Sequence, residues 1–112
     1  VSPISAQALD LTADQALALE SVRRFAAIRW QRREEQRFSP MRALQAAVAD
    51  PETPADTVAS AIEELGTIDA QHRFRLMGEL TKWSETLDPV QRARLGAALN
   101  AQGMDALVAH WE

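Results

Sequence analysis

The sequence predicts an all-α fold, an extended antiparallel helical hairpin of about four helices. Three observations lead there. The apolar content, 46% of 112 residues, is dominated by Ala and Leu, with no Tyr and only four Gly, a palette that favours helix over strand. Apolar residues recur at helical spacing through most of the chain. Capping residues stand before Thr12-Ala13, Ser39-Pro40, Thr53-Pro54 and Asp88-Pro89 in the style of helix starts.

The chain divides into a tail, residues 1–10, and a single helical domain, residues 11–112. The first helix is expected from about Ala13 to Phe38, burying Leu19, Val22 and Ala26, with Phe25 and Ile28 widening that face. A short second helix follows, about Pro40 to Ala49, carrying Met41, Leu44 and Val48. Ser39-Pro40 reads equally as a break or as a kink in one longer helix. After a turn at Asp50-Pro51-Glu52-Thr53, the third helix runs from about Pro54 to Thr86. Its stripe is Val58, Ile62, Leu65, His72, Leu76, Leu80, Trp83 and Leu87.

That third helix is roughly 50 Å long at 1.5 Å per residue. In so small a domain it must pair antiparallel with the first helix or lie in a dimer seam. Gly66 and Gly78 interrupt it, each costing about 1 kcal/mol against Ala, and are expected at a close approach or a bend. The fourth helix opens at Pro89, carries Val90, Leu95, Ala98 and Leu99, and ends at Gly103; Met104, Leu107, Val108 and Trp111 form a last amphipathic turn.

Composition excludes several chemistries. Without cysteine there is no disulfide, thiolate metal site or cysteine nucleophile. No apolar run approaches the roughly 18 residues that a membrane-spanning helix needs. The net charge of −4 conceals a polarity: Glu20 to Arg42 holds seven Arg against three Glu, whereas Asp50 to Asp88 holds nine acids against three bases. Overall acidity and the lack of a recognition motif argue against nucleic acid as partner. There is no glycine-rich phosphate loop, and His72 has no serine partner at a recognisable spacing, so the chain is expected not to be an enzyme.

The most distinctive feature is a repeated phrase. Leu11-Thr12-Ala13-Asp14-Gln15 returns as Leu87-Asp88-Pro89-Val90-Gln91. Each phrase is a capping box, with Thr12 or Asp88 capping the helix and Gln15 or Gln91 reaching back. With a basic first helix containing Arg32-Arg33-Glu34-Glu35 and a long helix leading into the second phrase, the sequence resembles the periplasmic LTxxQ superfamily: the Spy/CpxP chaperone-like proteins and the ZraP/CnrX-type heavy-metal-resistance proteins. Asp88 departs from the threonine of the motif but caps as well.

The resemblance implies a hairpin that dimerises into a curved cradle, a homodimer in the periplasm, free or held by a membrane anchor upstream of Val1. It also implies a stress-response role, binding unfolded clients or membrane-associated partner proteins. The alternative it implies is a metal- or stress-sensor domain signalling to a membrane partner. In the sensor branch a His-rich segment precedes the first motif and a His-x-x-x-Met pair precedes the second. Here Val1 to Asp10 has no His, and Glu79 and Trp83 occupy the paired positions. The sensor's metal site therefore does not carry over.

Candidate binding residues lie on the first helix. Arg29, Arg33 and Arg37 recur every four residues on one face, with Trp30 and Phe38 among them. They form a surface for acidic or unfolded partners, or else a solvated face paired with Glu34, Glu35 or the acidic third helix. No cofactor is expected. His72 and Glu79 are the candidates for a divalent transition metal, although a histidine on an apolar stripe more often answers a hydrogen bond inside the fold. His110 is expected near the surface.

Overall fold

The computed structural model describes residues 3–103. Among them are three helices and no strand: α1, Ala13–Ala49; α2, Ala55–Ser84; and α3, Pro89–Gln102. The all-α class and the hairpin of α1 against α2 are as the sequence predicts, but the count of helices is three. The expected final turn at Met104 to Trp111, and His110 with it, lies outside the described residues.

The difference in count comes from Ser39-Pro40. Pro40 stands inside a continuous 37-residue α1, although a proline removes one hydrogen bond and crowds the carbonyl four residues back, at about 3 kcal/mol or more. Its ring is buried and, with Ala61, lines a depression between α1 and α2. Packing on α2 thus offsets the local penalty. The tip is tightened by Asp50, whose carboxylate accepts from the Glu52 N–H at 2.9 Å, and α2 starts at Ala55 with Pro54 at the cap and no side-chain cap bond. Thr53 does not act as a cap there; its N–H instead donates to the Asp50 carbonyl at 3.1 Å.

The stripe on α2 is shifted from the expected one. Ala61, Ile68, His72, Leu80 and Trp83 are buried, whereas Ile62 is 56% exposed. Gly66 and Gly78 mark neither a close approach nor a crowded bend: a Cβ added at either meets nothing within 4 Å. On α1, Leu19, Val22 and Ala26 are buried as expected, but Ile28 is exposed.

The large apolar side chains gather at one end. Ile4, Leu9, Leu19, Val22, Leu80, Trp83, Leu87 and Leu95 form one cluster, closed by Ala26 and Ala98. Ile4 and Leu9 are fully buried, so residues 3–10, expected as a tail, belong to the fold. Without helical periodicity their two apolar residues gave no sign of it. The segment turns on the Leu9 N–H to Ser5 carbonyl and Leu11 N–H to Ala6 carbonyl bonds, with Asp10 at φ 53°, a conformation that aspartate tolerates better than most residues. Arg23 donates to the Ile4 carbonyl. The chain measures 58 × 23 × 21 Å, so the hairpin extends well beyond this base.

Candidate functional site

The two phrases meet in space. Thr12 Oγ1 accepts from the Gln15 N–H at 3.2 Å, and Gln15 Oε1 accepts from the Thr12 N–H at 2.9 Å. Asp88 and Gln91 repeat the arrangement at 2.8 and 2.9 Å, with Pro89 opening α3. The two amides then pair. Gln15 Nε2 donates to Gln91 Oε1 at 3.1 Å, and Gln91 Nε2 donates to Gln15 Oε1 at 2.9 Å. The remaining donors go to the Thr86 carbonyl at 2.8 Å and the Asp10 carbonyl at 2.9 Å.

Each amide thereby uses two donors and two acceptor positions, a complete account for a side chain of this kind. Gln91 is 5% exposed, and completeness is what makes that burial affordable. Leu87 is buried, and Leu11 packs against the core from its edge. Trp83 Nε1 donates to the Gln15 carbonyl at 3.2 Å, tying the end of α2 to the same joint. From sequence the phrases read as two separate caps. The clue to their union was glutamine at both third positions: glutamate closes a capping box equally well, but only an amide carries the donors for a reciprocal pair.

The arginine face of α1 splits in the structure. Arg33 Nε donates to Asp69 of α2 at 2.9 Å, and Arg37 Nη1 donates to both Asp69 oxygens at 2.6 and 2.7 Å. Arg33 also reaches Glu34 at 3.1 Å. Burial alone raises the Asp69 pKa, but hydrogen bonds and charge from Arg37 and Arg33 outweigh it and hold the carboxyl below its ordinary value. Two of the three arginines therefore clamp the hairpin, and Asp69 was not foreseen as their partner.

Arg29 takes a different place. It is half-buried, its Nε is buried without a hydrogen-bond partner, and Arg75 of α2 and Arg32 are the charges that act on it. His72, 5% exposed, lies 2.8 Å through Nε2 from Gln36 Oε1, so Nε2 carries the proton and donates. Burial first, then Arg29, Arg33 and Arg75, push the His72 pKa below its ordinary 6.5. The ring is neutral at pH 7.

Trp30 and Phe38 face outward, 38% and 63% exposed. Arg33 lies over the Trp30 ring at 4.7 Å and Arg42 over the Phe38 ring at 5.6 Å, both within cation–π range. A shallow depression lined by Phe38, Met41, Arg37 and Arg42 runs beside them.

No family model, no curated protein and no solved structure matches this chain. Function rests on the residues themselves. Among the described residues no three His, Asp or Glu side chains sit together as metal ligands. His72 has one nitrogen engaged by Gln36, and Glu79 is half-buried one turn beyond Arg75. No described helix is long and apolar enough to cross a membrane.

Proposed function

We propose that this chain is a non-enzymatic stress-response protein of the periplasm, of the Spy/CpxP and heavy-metal-resistance type, working as a homodimer that binds client or partner proteins in a chaperone-like or adaptor role. The observation that carries the proposal is the outer surface of α1, where Trp30 and Phe38 stand exposed beneath the guanidinium groups of Arg33 and Arg42. Aromatic rings with mobile cations over them bind apolar and acidic groups together. The paired phrases support the superfamily, since both glutamines of the motif serve one joint.

The client surface is narrower than the arginine repeat alone implies. Arg33 and Arg37 have structural work at Asp69, so reversing their charge would damage the hairpin as well as any client contact. Trp30→Glu with Phe38→Glu leaves the Asp69 clamp intact. The wild-type chain at stoichiometric amounts is expected to suppress the aggregation of an unfolded protein, followed by light scattering, less well in added salt. The double variant should lose more than half of that effect. No suppression by the wild type overturns the proposal, and tight calorimetric binding of Zn, Cu, Ni or Co abolished by His72→Ala would favour the sensor alternative instead.

A further inference from the structure

The structure assigns a carboxylate-binding site to the seam between Arg29 of α1 and Arg75 of α2, bordered by His72. One turn along α1, the same seam already grips a carboxylate: Arg33 and Arg37 close on Asp69 at 2.6 to 2.9 Å. At Arg29 the cations are present and the acid is missing. Among the described residues Arg29, Arg32 and Arg75 make no ion pair. Asp69 is taken up by Arg33 and Arg37, Glu34 by Arg33, and Glu79 comes within 4 Å of no cation.

Two buried polar atoms there lack partners, Arg29 Nε and His72 Nδ1. An unpaired guanidinium N–H is an expensive thing to bury, and guanidinium groups suit the planar fork of a carboxylate. His72 is faced by Arg29 and Arg33 from α1 and by Asp69 and Arg75 on its own helix. A bound carboxylate screens the arginines from the imidazole and favours its protonated form. By linkage, affinity then rises as pH falls through the His72 titration.

The site does not depend on client binding at Trp30 and Phe38; a chain that fails to suppress aggregation still has it. The test is an NMR titration of the whole ¹⁵N-labelled chain, following arginine Nε–H and histidine ring signals. The probes are acetate, a glutamate-containing peptide and its glutamine counterpart, with chloride at matched ionic strength. Saturable shifts at Arg29 are expected, with a rise in the His72 pKa, and affinity at least tenfold weaker in Arg29→Gln and Arg75→Gln but unchanged in Arg94→Gln on α3.

Saturation by acetate marks a free acid as the ligand; response to the glutamate peptide alone marks a protein carboxylate. Each variant removes one of several like charges, so both are expected to fold, and circular dichroism checks it. Should Arg29→Gln unfold, the exposed Arg75 carries the test. Equal shifts with chloride, or full affinity in the folded variants, overturn the site.

Discussion

Gln15 and Gln91 have a chemistry that glutamate cannot imitate. Replacing either with Glu removes two donors, leaves the Thr86 or Asp10 carbonyl unanswered, and turns a carboxylate towards an amide oxygen. A loss of about 3 kcal/mol is expected for Gln91→Glu from the unpaired buried groups, read as a lower urea midpoint. Gln15→Ala combined with Gln91→Ala should cost less than the two single changes added together, because the first already breaks the pair. At His72 the sign follows from its lowered pKa. Between that pKa and 6.5 the unfolded chain holds more protons than the folded one, so stability falls as pH drops below about 6.5 and levels off once the folded pKa is passed. Urea midpoints at pH 7.5 and 5.5 should therefore diverge in the wild type and converge in His72→Gln. Asp69 acts lower down, its contribution being lost as pH falls below 3.8 and through its folded pKa.

At the scale of the element, legibility depended on where the physics was local. The starts of α1 and α3 were readable because a capping box lies within four residues. The continuity of α1 through Pro40 was not, since what holds it is burial beside Ala61, some twenty positions on. For α2 the stripe was placed on Ile62 by its size, yet the smaller Ala61 faces the partner helix and Ile62 faces away. Seam residues such as Asp69 were invisible because pairing across a hairpin needs its register, which no helical periodicity supplies. The open surroundings of Gly66 and Gly78 carry a prediction of their own. Each substitution to Ala should raise stability by about 1 kcal/mol, seen as a higher urea midpoint with an unchanged slope.

For the whole molecule, the apolar cluster at the base and the polar seam beyond it divide a single hairpin into unequal halves. Leu19, Val22, Leu80 and Trp83 hold the base; the outer half relies on Asp69 with its two arginines, His72 with Gln36, and the small contacts of Ala61, Pro40 and Ile68. Burial of large side chains contributes about 1.5–3 kcal/mol each, more than a half-exposed ion pair returns. Amide exchange is thus expected to be fastest, and its opening energy lowest, around residues 41–60, rising towards 80–98. Uniform protection along α1 and α2 would contradict this division.

The joint of the two glutamines also sets the order in which the chain assembles. Its partners are 76 residues apart, whereas Arg37 and Asp69 are 32 apart. Closing the longer loop costs just over one doubling of length, roughly 0.7 kcal/mol more, so the outer contacts are entropically the easier to make and energetically the weaker to keep. Assembly and endurance run in opposite directions along the same hairpin. The glutamine pair forms late, when α3 and the leading segment have both arrived, and from then on it is the latch whose release lets the chain come apart.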